Sequence, residues 1–161
     1  MDGFLNILKP PGMSSHDVIG AVRKVLHMKR VGHAGTLDPA AAGVLPIAVG
    51  QAARLIEYLE LADKTYRAEL TFGFATDSGD DTGKITEEVA DFTMPSQQAI
   101  EHALLGFTGK IRQTPPAHSA IKIGGQKLYQ IARRGGEVER PARPVTIHEL
   151  ELLGRSGPAD Y

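Results

Sequence analysis

The chain has 161 residues, of which 42% are hydrophobic and 23% charged, so it is long enough for one globular domain with a hydrophobic core. It contains no cysteine, which excludes disulfides and thiolate metal sites and fits a reducing cytoplasm. The net charge of −1 gives no overall bias toward nucleic acids. The sequence shows no signal peptide and no apolar stretch of membrane-spanning length, so we expect a cytoplasmic protein without a membrane partner.

The charges are unevenly distributed along the chain. Residues 1–54 carry 6 Lys/Arg against 3 Asp/Glu, residues 55–108 carry 3 against 11, and residues 109–144 carry 8 against 2. Two basic blocks therefore flank an acidic one. A basic stripe on one face would suit a nucleic acid, although such blocks are also common as ordinary solvated surface.

The first elements are a short strand and an amphipathic helix. Residues 4–8 predict the strand, and the Pro/Gly-rich stretch 9–12 ends it. Ser14 is a typical helix N-cap, with Asp17 three residues later. The apolar residues that follow recur at helical spacing and predict one buried face: Val18, Ile19, Val22, Val25 and Leu26.

A glycine-rich stretch follows at residues 32–46. Its three glycines and two prolines exclude a regular helix, and its only charged or titratable side chains are His33 and Asp38. Asp38 precedes a proline, which favours extended backbone. Residues 44–49 then predict a buried strand, so the carboxylate is held on a stiff loop at its edge. Asp-Pro alone is also typical of a simple turn.

The rest of the chain mixes helices and strands irregularly. The polar turn at 77–83 resembles a calcium loop only faintly, because the closing Glu of an EF-hand is missing, and we expect no metal. The pattern predicts an α+β fold with a mixed, largely antiparallel central sheet and flanking helices. The predicted elements are helices over 51–62, 95–105 and 127–134, and strands over 65–73, 85–92, 119–123 and 145–153.

The stretch G-H-A-G-T-L-D-P-A-A-A-G-V-L-P at 32–46 resembles the catalytic loop of the TruB-type pseudouridine synthases, which isomerise a uridine in the T arm of tRNA. The strings K-P-P-G-M-S-S at 9–15 and K-T-Y at 64–66 resemble two further motifs of that family. The resemblance covers nearly the whole chain. It implies the pseudouridine synthase fold, with the catalytic cleft across a central sheet.

The resemblance also implies roles for three side chains. Asp38 matches the essential catalytic residue, and Tyr66 matches the tyrosine that stacks on the target base. His33 matches the histidine that occupies the space left by the flipped nucleotide, which a planar ring can do by stacking. His33 could otherwise be a hydrogen-bonding loop residue. Lys9 is expected to pack behind the loop in a structural role.

Residues 116–143 resemble the family's RNA-gripping insertion. Phosphate contacts require cationic side chains. The segment and its edges supply six: Lys122, Lys127, Arg133, Arg134, Arg140 and Arg143.

One departure from the family pattern concerns the end of the chain. Family members continue into a K-G-T-Y-I-R-like motif, whose arginine pairs with the catalytic Asp, and into a PUA-type domain. Residues 1–161 contain neither. We therefore expect residues 1–161 to be the N-terminal portion of the catalytic domain, inclined to self-associate through an open sheet edge.

The implied reaction converts uridine 55 of the tRNA T loop into pseudouridine. It is an isomerisation without redox change, so no cofactor and no obligatory protein partner are expected. Asp38 would act either as a nucleophile at C1′ or as a base on the sugar. The alternative is a non-catalytic tRNA-binding or tRNA-folding module, because the arginine motif is missing.

Overall fold

The computed structural model describes residues 1–59, 62–116, 122–123, 126–127, 139–157 and 159–161. The chain divides into two compact units, Met1–Tyr66 and Arg67–Tyr161. In the described part, no helix combines the length and apolar character needed to cross a membrane.

The first unit is built on a three-stranded antiparallel sheet. Strand β3 (Gly43–Val49) lies between β1 (Gly3–Lys9) and β2 (Val31–His33). Lys9 lies opposite Gly43, and His33 lies opposite Ile47. The predicted strands at 4–8 and 44–49 are thus confirmed.

Helix α1 (Ser15–Leu26) packs on this sheet and forms its core. Ser14 caps the helix in a capping box with Asp17, as the sequence predicts, and the helix ends at His27 in the left-handed conformation. Burying each large apolar side chain stabilises the fold by about 1.5–3 kcal/mol. The buried core cluster comprises Val18, Ile19, Val31, Leu45, Ile47 and Val49.

The helix predicted over 51–62 is only partly correct. The chain leaves β3 through a 3-10 helix (Gly50–Leu55) and then forms one α-helical turn, α2 (Ile56–Leu59). The Asp2 carboxylate, close to the start of the chain, accepts a hydrogen bond from the Gln51 amide at 2.5 Å. Asp2 thus caps the first turn of the 3-10 helix. A Cβ atom at Gly32 would lie 2.7 Å from the terminal methyl of Ile56, so this methyl occupies the space that a side chain at position 32 would take.

The predicted strand at 65–73 is wrong. Only Thr71 forms a β-bridge, with Asp160, and the neighbouring amides of Leu70 and Phe72 donate to the carbonyls of Tyr161 and Ala159. Residues 65–71 are exposed at every position, so neither face of the alternating pattern is buried. Alternation predicts a strand only where one face packs against something.

Among its described residues, the second unit contains short antiparallel strand pairs and one helix. Helix α3 (Gln97–Leu105), capped by Ser96, confirms the helix predicted over 95–105. The strand predicted over 85–92 ends at Glu88, and that over 145–153 runs from Arg143 to Ile147. The pairs are β4 (Phe74–Thr76) with β5 (Ile85–Glu88), β6 (Gly109–Gln113) with β9 (Arg143–Ile147), and β7 (Lys122–Ile123) with β8 (Gln126–Lys127).

The α+β class predicted from the sequence is confirmed. Every strand pair that the structure describes is antiparallel. In the predicted helix at 127–134, Lys127 belongs instead to strand β8, and the remaining residues lie outside the described part.

Candidate active site

The loop that carries Asp38 joins two neighbouring strands of the first unit. Residues 34–42 run from the end of β2 to the start of β3 without regular structure, and this segment is called the Asp38 loop below. Its first amide, that of Ala34, donates to the Pro46 carbonyl at 2.9 Å. Gly35 has a φ of +86°, a conformation that glycine adopts without strain. The two ends of the loop are therefore fixed by the sheet.

Leu37 fixes the loop just before Asp38. Its side chain packs against the core of the first unit, in space that the absence of a side chain at Gly43 leaves open. Its backbone is bonded to Ser15, the first residue of α1. The Ser15 hydroxyl donates to the Leu37 carbonyl at 3.1 Å and accepts from the Leu37 amide at 3.0 Å. Ser15 is only 4% exposed.

Lys9 fixes the loop just after Asp38. Its side chain is 0% exposed, and its ammonium group donates to the carbonyls of Met13 at 2.8 Å, Pro10 at 3.0 Å and Pro39 at 3.4 Å. The Gly12 amide donates to the same Pro39 oxygen at 2.7 Å. A buried charge needs such partners because it has lost its water. Lys9 thus lies behind the loop, in the structural position that the sequence predicts.

Asp38 itself is exposed. Its carbonyl oxygen accepts a hydrogen bond from the Ala41 amide at 3.1 Å, which closes a tight turn. Its carboxylate has no hydrogen-bond or ion-pair partner among the residues that the structure describes. The backbone of Asp38 is therefore held while its carboxylate faces outward, available to a ligand.

His33 is the last residue of β2 and is half-buried. Its Nδ1 atom is hydrogen-bonded to the Gly35 carbonyl. Because a carbonyl can only accept, Nδ1 is the donor in this hydrogen bond. The loop hydrogen bond considered for His33 from the sequence is present. Stacking in the T loop stays a prediction.

Tyr66 is the final residue of the first unit and lies in an irregular segment. Its side chain is 68% exposed. A large aromatic ring in this state is free to contact a planar ligand.

The predicted RNA-gripping cations are described only in part. Arg140 donates to the Pro115 carbonyl at 3.1 Å, and Arg143 is exposed at the start of β9, opposite Gln113. For Lys122 and Lys127 the structure describes the backbone alone, and Arg133 and Arg134 lie outside the described residues.

The acidic turn between β4 and β5 is stabilised by its own hydrogen bonds. The Asp80 carboxylate accepts from the hydroxyls of Ser78 and Thr82, both at 2.7 Å, and these bonds lower the pKa of Asp80. In the described part of the chain, no three His, Cys, Asp or Glu side chains are grouped so as to hold a metal ion.

Sequence reasoning missed the contact between Ser15 and Leu37, although a signal for it exists. Ser15 shares the spacing of Val18, Ile19 and Val22, so it belongs to the buried face of α1. A polar side chain on such a face needs a hydrogen-bond partner. The sequence does not say which residue supplies it.

Comparison with solved structures supports the class of fold. A chain in the crystal structure of a Cbf5–Nop10–Gar1 complex is similar over 98% of this chain and 37% of that chain, with a TM-score of 0.61 and 27% sequence identity.

Comparison with family models is more specific. The model described as TruB family pseudouridylate synthase (N-terminal domain) matches residues 23–160. The chain therefore belongs to the TruB family of pseudouridylate synthases.

Curated relatives agree with this assignment. The tRNA pseudouridine synthase B of Symbiobacterium thermophilum is 54% identical over 159 residues, which are 98% of this chain and 53% of that protein. The protein of the same name from Carboxydothermus hydrogenoformans is 56% identical over 154 residues, or 95% of this chain and 53% of that protein. The chain spans about half the length of the curated relatives it matches.

Proposed function

We propose that this chain supplies the catalytic carboxylate of a tRNA pseudouridine synthase that converts uridine 55 of the T loop into pseudouridine in the cytoplasm. The observation that carries the proposal is Asp38, an exposed carboxylate whose two neighbours are held by Ser15 and Lys9. Pre-positioning a reacting group in this way lowers the barrier that the reaction must cross. Membership of the TruB family and the names of the curated relatives support the same function.

The chemistry explains why a carboxylate is needed. The N1–C1′ bond of the uridine breaks, the base rotates, and C5 bonds to C1′, while the hydrogen on C5 leaves as a proton and N1 gains one. Positive charge develops at C1′ as the first bond weakens, and a carboxylate stabilises it. Asp38 acts either as the nucleophile at C1′ or as a base on the sugar. Substrate and product are isomers, so the balance requires no cofactor.

The remaining site residues bind the RNA. The exposed ring of Tyr66 stacks on the target base, and His33 fills the space that the flipped nucleotide leaves. Lysines and arginines of the segment 116–143 contact phosphates of the T arm. No obligatory protein partner is required.

A second candidate function is a tRNA-binding module without catalysis. It is favoured by one observation: the Asp38 carboxylate has no cationic partner within the described residues. Asp38 is exposed in this structure, but a bound RNA would cover it, and a carboxylate that is closed off from water is costly to keep charged alone.

The experiment that separates these functions is tritium release from tRNA labelled at C5 of uridine. It is run on this chain and on a chimera in which the chain replaces the matching half of the Symbiobacterium relative. We expect the chimera to release tritium, the Asp38→Asn chimera to release none while still binding tRNA, and Asp81→Asn to behave as wild type.

Two results would decide against the proposal. Turnover by the Asp38→Asn chimera would show that another group does the chemistry. A wild-type chimera that binds tRNA but releases no tritium would favour the binding module.

A further inference from the structure

Ser15 lies outside the residues assigned to the substrate, but it contacts the backbone beside the catalytic carboxylate. We propose that Ser15 is a positioning residue, which fixes the orientation of Asp38 through both polar backbone groups of Leu37. The inference rests on the proposed function for its catalytic consequence. Its structural basis, the two hydrogen bonds of the Ser15 hydroxyl at 3.0 and 3.1 Å, is independent of that function.

Hydrogen bonds on both sides of Asp38 fix its backbone, so only its side chain remains free to rotate. The Leu37 carbonyl belongs to the peptide plane that precedes the Asp38 Cα, and Ser15 holds it. The Asp38 carbonyl belongs to the plane that follows, and the Ala41 amide holds it. Because peptide units are planar, fixing these two planes fixes the backbone dihedrals of Asp38. Only its side-chain dihedrals then remain to be set.

The burial of Ser15 makes this contact hard to replace. The side chain is 4% exposed and lies on the core-facing side of α1. Ser15→Ala would leave the Leu37 amide and carbonyl without their partner, in a place where water has little access. The loop would then shift or fluctuate at Asp38. A displacement of about 1 Å in a reacting group can lower the rate about 100-fold.

Ser14 provides a matched control. It is adjacent in sequence, carries the same hydroxyl, and also stabilises α1, by accepting from the Asp17 amide at 3.2 Å. Within the described residues its hydrogen bonds join it to Asp17 and Val18, and these do not reach the Asp38 loop. Ser14→Ala therefore weakens the same helix without releasing Leu37, so a general loss of stability can be told apart from a loss of positioning.

The test combines amide hydrogen exchange on this chain with kinetics on the active chimera. In Ser15→Ala we expect the Leu37 amide to exchange at least about 10-fold faster and the chimera to lose about 10- to 100-fold in kcat, with little change in KM. In Ser14→Ala we expect the Leu37 amide and kcat to stay near wild type. Ser15→Thr, which keeps the hydroxyl, should recover most of both losses.

Three outcomes would overturn the proposal: unchanged Leu37 exchange in Ser15→Ala, equal kcat losses in the two alanine variants, or a loss confined to KM. If Ser15→Ala fails to fold, Ser15→Cys, which keeps the side-chain volume but bonds weakly, takes its place with the same criteria. If the wild-type chimera isomerises no uridine, the proposed function fails, whereas the Leu37 exchange still decides whether Ser15 holds the loop.

Discussion

Lys9 and Pro39 are 30 residues apart in the chain, yet the Lys9 ammonium nitrogen lies 3.4 Å from the Pro39 carbonyl oxygen. The same nitrogen binds the carbonyls of Pro10 and Met13. One buried cation therefore ties the turn after β1 to the residue after Asp38. Lys9 serves the site from behind, because its charge is directed at backbone oxygens and is not presented to a substrate.

Lys9→Met should destabilise the first unit and slow the reaction. The apolar side chain fills similar space but leaves the Pro10 and Met13 carbonyls without this donor, while the Pro39 carbonyl keeps the Gly12 amide. Each missing donor costs about 1–3 kcal/mol when the carbonyl stays buried. We expect the free energy of unfolding, measured by urea denaturation, to decrease by about 1–3 kcal/mol. Lys24→Met, at an exposed position on α1, is the control. Equal stability of the two variants would contradict the structural role of Lys9.

Tyr66 should contribute through the face of its ring. Tyr66→Phe keeps the ring and should bind tRNA nearly as wild type, whereas Tyr66→Ala should lose about 1–3 kcal/mol of base stacking. Tyr58→Ala, at a similarly exposed tyrosine of α2, is the matched control. Binding is measured by titration of labelled tRNA. If the Tyr66 variants with and without the ring bind equally well, the ring does not touch the base.

The two central arginines of the segment 116–143 should contribute through charge alone. Replacing Arg133 and Arg134 together with Gln should flatten the plot of log affinity against log salt, by roughly 0.7–0.9 for each phosphate that is no longer neutralised. Lys84→Gln, at an exposed position before β5, should leave the slope unchanged. A slope that is unaltered in the double variant would assign both arginines to ordinary solvated surface.

Acid should weaken helix α1 at its first turn. The hydroxyl of Ser14, and next its backbone amide, hydrogen-bond the Asp17 carboxylate and lower its pKa in the folded state. A carboxyl group with a lowered folded pKa stabilises the fold at pH values above its unfolded pKa, and this contribution is lost as pH falls through the folded pKa. The loss of this contribution should therefore lower the Tm of the wild type as pH falls through the folded pKa of Asp17.

Ser14→Ala isolates that contribution. We expect its Tm to lie below wild type at neutral pH and the gap to narrow as the pH falls through the folded pKa of Asp17, because the wild type then loses the carboxylate that Ser14 stabilises. A gap that stays constant across the range would show that the Ser14 cap acts without the Asp17 charge.

Local signals in the sequence predicted much of the first unit. Ser14 with Asp17 marks the start of α1, and the run at 44–49 marks the central strand, because a capping box and a continuous apolar run each depend on neighbouring residues. The 3-10 start after β3 was not predictable in this way. It depends on the Asp2 carboxylate, 49 residues earlier in the chain.

In the candidate site, too, features that depend on neighbouring residues were predictable, whereas contacts between distant residues were not. The glycine, the proline and the carboxylate of the Asp38 loop, Gly35, Pro39 and Asp38, are evident from the sequence, and they indicate a shaped loop. The bonds that hold Asp38 join residues 22 and 30 positions apart, Ser15 to Leu37 and Lys9 to Pro39. Nothing in the spacing of the sequence specifies those pairs. The strand predicted at 65–73 failed for a related reason, since alternation does not reveal whether a partner buries either face.

The fixed backbone of Asp38 has an entropic consequence. Ordering one residue costs about 1–2 kcal/mol of conformational entropy. In this chain the backbone of Asp38 is ordered during folding, so under the proposed function RNA binding would not have to order it again. A variant that frees the loop would move the cost to the encounter with RNA. Its activation entropy should then become more unfavourable even where its activation enthalpy is unchanged, and its deficit should grow as temperature rises.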